Sequence, residues 1–159
     1  MPNMDADNVL TVPGRYDQIR TITKFLAAGG EAAGLGEDAI FHLELCSDEA
    51  STNIIEHAYG AEDLGNITVR YQTTTSAFTV TFFDHGRPFN PKNIPEPASF
   101  NNENDSAEPA LGNFLDSLKV GGLGIHFMHK LMDEVHYSFD SEVGNKLTLV
   151  KYLPGESEQ

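Results

Sequence analysis

The sequence predicts one α+β domain in which two helices lead into a pair of strands and a third helix leads into a second pair. Three observations carry that expectation. Apolar residues recur at helical spacing through residues 16–58, strand-like patterning runs through residues 66–83 and 134–153, and a stretch of about thirty residues between them has no period at all.

From Tyr16 to about Ala33, the apolar residues Ile19, Ile22, Phe25 and Leu26 mark one face of a first helix, and Gly34 and Gly36 end it. A second, half-buried helix is predicted from about Glu37 to Ala58, with Ile40, Leu43, Cys46, Ala50 and Ile54 forming its stripe and Tyr59 and Gly60 closing it. Asn66 to Thr73 alternates Ile67, Val69 and Tyr71 with polar residues. Ala77 to Phe83 is β-branched and aromatic, so the two read as a hairpin joined by a short TTS link. The prolines and polar residues of about 91–120 run too long for an ordinary connector and read as a functional lid or a locally disordered segment. Order returns with a short helix behind a glycine pair in GGLGIHFMHKLMDEV, with Ile125, Met128, Leu131 and Met132 on one face. Two more strands, Glu134 to Phe139 and Lys146 to Leu153, flank a predicted turn Glu142–Val143–Gly144–Asn145, and the GESEQ tail is polar.

A chain of 159 residues with 40% hydrophobic content can bury one core, so a single domain over residues 1–159 is expected. No run approaches the ~18 apolar residues of a membrane span, and the start MPNMDADN is acidic where a signal peptide would be basic. Cytoplasmic residence is therefore expected, and the lone Cys46 agrees with a reducing compartment. The net charge of -14, with no cluster of Lys or Arg, argues against nucleic acid and anionic membrane as partners. A polyphosphate would have to be held by backbone amides, a helix start or a metal ion.

Three constellations could carry such chemistry. Glu49 and Asn53 stand four apart on one helix face, pairing a carboxylate suited to take a proton with a neutral oxygen suited to Mg²⁺. Alone, that pair reads as an ordinary polar face. In FFDHGRPF, Asp84 ends an apolar strand and Gly86 follows, so a carboxylate could accept a hydrogen bond from an exocyclic amine. Alone, that is a common turn. In GGLGI, glycines open a helix where free N–H groups and the positive helix end can face an anion, and their entropic cost suggests a compensating use. The histidines lack metal spacing, His57 reads as packing, and Met128 and Met132 read as core.

In their order along the chain these segments resemble the GHKL ATPase superfamily, and within it the small anti-sigma factor serine kinases of the RsbW and SpoIIAB type. The residues that carry the resemblance are EASTNIIEHAYG at 49–60, DHGRPFNP at 84–91, GGLGIHFMHKLMDEV at 121–135 and the terminal GNKLTLVKYL. The resemblance implies a Bergerat fold: a two-layer α/β sandwich with a mixed, mainly antiparallel sheet, helices on one face and a long ATP lid. By the same resemblance Asn53 would coordinate Mg²⁺ and Glu49 would be the general base toward a protein hydroxyl. Asp84 would hold the adenine amine of ATP, and Gly86 would let the ring approach. Gly122, Leu123 and Gly124 would present amides to phosphate, and Thr148 would support Asp84. Lys119 is a candidate cation for the γ-phosphate. The implied partners are a sigma factor and a STAS-type antagonist that becomes phosphorylated on serine or threonine, with a homodimer as the assembly. A non-catalytic ATP-binding interaction module and a stand-alone histidine kinase catalytic domain remain the alternatives.

Overall fold

The computed structural model describes residues 8–89 and 128–154. The predicted lid at about 91–120, Lys119, the glycines Gly122 and Gly124 with Leu123 between them, and the GESEQ tail all lie outside the described residues.

A five-residue strand, β1 (Val9–Pro13), comes first, and a turn of 3₁₀ helix at Tyr16–Gln18 feeds helix α1 (Ile19–Ala33). Gly34 ends α1 at φ 102°, a left-handed cap that only glycine adopts without strain. Helix α2 (Glu37–Asn53) follows, then a π-helical stretch at Ile54–Tyr59, then the hairpin β2 (Asn66–Thr73) and β3 (Ala77–Asp84). Residues 128–131 are helical, and β4 (Glu134–Asp140) and β5 (Gly144–Tyr152) follow.

The strands form one sheet in the order β1-β2-β3-β5-β4, and all four pairings are antiparallel. Their two-residue period sends Ile67 and Val69 of β2, Phe78, Val80 and Phe82 of β3, and Leu147 and Leu149 of β5 toward the helices. There they join Ile22 and Leu26 of α1 and Leu43, Cys46 and Ala50 of α2 in a single core. Each such aliphatic or phenyl side chain contributes roughly 1.5–3 kcal/mol on burial. Two glycines let the layers close. A Cβ on Gly29 would lie 2.5 Å from the Tyr71 ring, and one on Gly30 would lie 2.9 Å from Leu35.

Three local features differ from the sequence expectation. Strand β1 was not predicted, because five residues ending in proline at a sheet edge carry almost no periodic signal. The helix predicted to reach Ala58 does continue, but after Asn53 it widens, and Gly60 N–H donates to Ile55 O at 2.9 Å. Apolar spacing cannot register one extra residue per turn. The predicted turn at Glu142–Asn145 is also shorter than expected. Gly144 and Asn145 already belong to β5, opposite Asp140 and Phe139 on one side, and Asn145 lies opposite Asp84 on the other.

Candidate active site

Asn53 is the last residue of α2, and Glu49 lies one turn before it on the same face. Both are buried, at 3% and 8% exposure. The apolar stripe of α2 must face the sheet, and these two polar residues are carried inward along its edge. Among the described residues, neither atom of the Asn53 carboxamide has a hydrogen-bond partner, nor does Glu49 Oε2. A buried orphan of this kind costs about 1–3 kcal/mol, so these atoms call for a partner, which a ligand, an ion or water can supply.

Asp84 closes β3, also buried, and lines the same cavity as Asn53. Between the two the wall is apolar, built from Ala50, Ile54, Met128 and Leu147. Asp84 Oδ1 accepts two hydrogen bonds, from Gly86 N–H at 2.8 Å and from Asn145 Nδ2 at 2.9 Å. The turn after Asp84 is pressed onto the π-helical stretch, where Arg87 N–H donates to Ala58 O at 2.9 Å and Arg87 Nε to His57 O at 2.6 Å. A Cβ on Gly86 would sit 2.5 Å from the Ala58 carbonyl group. Glycine is thus required there by contact with backbone, and the space beside it is filled by Ala58. The His57 ring stacks on Phe89, centroids 4.8 Å apart and planes 13° apart, which gives His57 the packing role expected of it.

Burial sets the electrostatics. It pushes the Glu49 carboxyl from 4.5 up to about 8; the Asn53 side chain draws it back without reaching hydrogen-bond geometry, while Glu56 and Asp48 add to the rise. Burial also raises Asp84, against the pull of the Asn145 amide, Gly86 N–H and His85. Desolvation pushes the buried Cys46 thiol up to about 12, despite nearby Lys151.

Of the residues expected from the sequence, the structure brings Asn53 and Asp84 to one cavity, with Glu49 beside Asn53. It does not bring Thr148 to Asp84. Thr148 lies opposite Thr81 on β3, out of phase with Leu147, so its side chain faces away from the helices and the cavity. Asn145 occupies the supporting position instead. Its phase was readable from Leu147 and Leu149, had the strand been carried back through Gly144.

Asn53 offers a neutral, hard oxygen that suits Mg²⁺ completed by phosphates and water. Among the described residues no group of three or more His, Cys, Asp or Glu could form a metal cage from protein alone. At the other end, Asp84 Oδ2 has no partner among the described residues and can accept from an amine. The carboxamide and the carboxylate thus line one cavity, the first chemically suited to a hard cation and the second to an exocyclic amine.

A family model described as a histidine kinase-like ATPase domain matches residues 12–151. Curated relatives include the serine-protein kinase RsbW of Bacillus velezensis, 28% identical over 152 residues, with 92% of this chain and 86% of the relative covered. RsbW of Bacillus subtilis is 28% identical over 158 residues, covering 96% and 89%. RsbW of Listeria monocytogenes is 26% identical over 153 residues, covering 96% and 91%. Among the described residues no helix is long and apolar enough to cross a membrane.

Proposed function

The chain belongs to the histidine kinase-like ATPase domain family, and from that premise we propose that it is an ATP-dependent serine/threonine protein kinase acting as an anti-sigma factor. Residues 1–159 work as one ATPase domain in the cytoplasm, paired as a homodimer. The chain captures a sigma factor and phosphorylates a STAS-type antagonist on serine or threonine. The observation that carries the reading is the partnerless Asn53 carboxamide lining the same cavity as Asp84. The names of the relatives, serine-protein kinase, support phosphoryl transfer to a hydroxyl.

When bound, magnesium and ATP supply the phosphoryl group and neutralise its charge. Asn53 orients that end of the ligand through its side-chain oxygen, and Asp84 holds the base by accepting from its exocyclic amine. The amides of Gly122, Leu123 and Gly124 receive phosphate oxygens, and Lys119 is the candidate cation. Glu49 accepts the proton of the attacking hydroxyl. At neutral pH its carboxyl is mostly protonated in the ligand-free protein, since burial holds it near 8. Glu49 would reach the ionised form that a base requires if a cation were held at Asn53.

The test has two parts. Calorimetry with magnesium should show uptake of ADP and ATP, and incubation with Mg-ATP and STAS-domain proteins should yield phosphoserine or phosphothreonine. Glu49→Ala should keep nucleotide binding and lose transfer. Transfer retained at the wild-type rate in that variant would remove Glu49 from the mechanism, and absence of nucleotide uptake would remove the whole reading.

A further inference from the structure

We propose that Asn145, braced by Tyr137, is the positioning residue that holds Asp84 as a fixed hydrogen-bond acceptor and thereby sets the preference of this pocket for an amino-bearing base over a carbonyl-bearing one. The inference rests on the nucleotide site proposed above and deepens it.

A primary carboxamide can donate two hydrogen bonds and accept two, and Asn145 does both at 3% exposure. Its Nδ2 donates to Asp84 Oδ1 at 2.9 Å and to Arg87 O at 2.8 Å. Its Oδ1 accepts from the Tyr137 hydroxyl and, at 3.2 Å, from Phe89 N–H. Those partners fix which way the amide points. Turned over, it would set an oxygen against the Asp84 carboxylate and the Arg87 carbonyl, and an NH₂ against the Phe89 N–H. Phe89 N–H also donates to the Tyr137 hydroxyl at 2.9 Å, so β3, the turn behind it, β4 and β5 meet at one side chain.

The consequence falls on Asp84. Its Oδ1 is held by two donors, which pins the carboxylate and favours its ionised form against burial. Its Oδ2 is then an acceptor only. An adenine amine satisfies that oxygen, whereas the carbonyl that hypoxanthine carries at the same ring position repels it. Were Asp84 free to turn or take a proton, it could donate to the carbonyl and the preference would fall. The other charged or titratable groups around the pair are His85 beyond β3, Tyr59 of the π-helical stretch, Tyr137 of β4 and Arg87, whose Nε is engaged by His57 O. Among the described residues no Lys or Arg forms a salt bridge with Asp84.

The experiment measures Kd for ADP and IDP with Mg²⁺ in the full chain by calorimetry, and reads their ratio from pH 5.5 to 8. The ratio cancels effects common to both ligands, including titration of Glu49. In wild type the preference for ADP should not fall as pH rises, because the ionised form of Asp84 is the acceptor. Asn145→Ala should lower ADP affinity on the order of tenfold or more and shrink the preference. Tyr137→Phe, which removes only the brace, should do the same to a smaller extent. Asn145→Asp should reverse the pH trend. At low pH the introduced carboxyl keeps a proton and donates to Asp84, and as it ionises the two carboxylates repel and the preference is lost. A ratio unmoved by Asn145→Ala or Tyr137→Phe, or a preference in Asn145→Asp that is flat with pH, overturns the inference. Should Asn145→Ala fail to fold by circular dichroism, the other two variants decide. Failure of wild type to take up ADP would defeat the site itself, whereas normal uptake with indifferent variants would defeat only the role given to Asn145.

Discussion

Replacing Glu49 by glutamine keeps the shape of a buried side chain and deletes a titration that the fold holds far from its ordinary place. Burial is the main cause, moving the carboxyl from 4.5 to about 8. Between those values the folded protein binds a proton that the unfolded chain has released. By linkage, the stabilisation is fully present below the unfolded value and is lost as pH rises toward the folded one. At about 1.36 kcal/mol for each tenfold change in proton affinity, that interval bounds the effect at about 5 kcal/mol. Relaxation and water entry around a group that is 8% exposed reduce it, and a loss of roughly 2–4 kcal/mol between pH 5 and pH 8.5 is expected. Glutamine cannot ionise, so the variant should match wild type near pH 5 and exceed it by that amount at pH 8.5. Urea unfolding with a chelator present measures the difference, and with a slope of about 2 kcal/mol/M the midpoints should separate by roughly 1–2 M at the alkaline end. Every other carboxyl is shared by the two proteins and cancels. Parallel stability curves across the whole pH range would show that Glu49 is not held neutral by the fold, and the account of its burial would be wrong.

Three further outcomes follow from the same structure. Asn53→Ala removes two buried polar atoms that have no partner, so it should leave ligand-free stability unchanged or raised by up to about 1 kcal/mol while abolishing the rise in Tm that Mg-ADP gives wild type; a large loss of ligand-free stability would mean the amide is satisfied internally. Gly144→Ala introduces a Cβ 2.2 Å from Asp84 O at φ 92° and should cost about 2–4 kcal/mol, whereas Gly60→Ala, at the same φ of 92° but with nothing within 4 Å, should cost only about 1–2 kcal/mol; thermal melts compare the two, and equal costs would refute the close approach. Cys46, with its thiol pushed up to about 12, should resist Ellman's reagent at pH 7.5 in the native protein and react as one thiol per chain in urea; rapid native reaction would contradict its burial.

The features legible in the sequence are those set by neighbours within a turn or two of the chain. Ile22 and Leu26, or Leu43, Cys46 and Ala50, share a face because helix spacing puts them there, and the core buries that face as expected. The same rule made Glu49 and Asn53 a pair, and the apolar run before Asp84 placed it at the end of a strand. What needed the fold was everything that joins distant segments. That Asn53 and Asp84 line one cavity depends on α2 packing against a sheet whose strands β2 to β5 arrive later in the chain. The exchange of Thr148 for Asn145 is the clearest case. A strand has a period of two, so where it begins and which residue of β3 it meets decide which side chains turn inward. Gly144, the only kind of residue that can approach Asp84 O so closely, starts β5 two residues earlier than the local pattern suggested. Local spacing encodes which residues share a face, whereas partners across the sheet follow from contacts between strands about sixty residues apart, whose register only the assembled packing can choose.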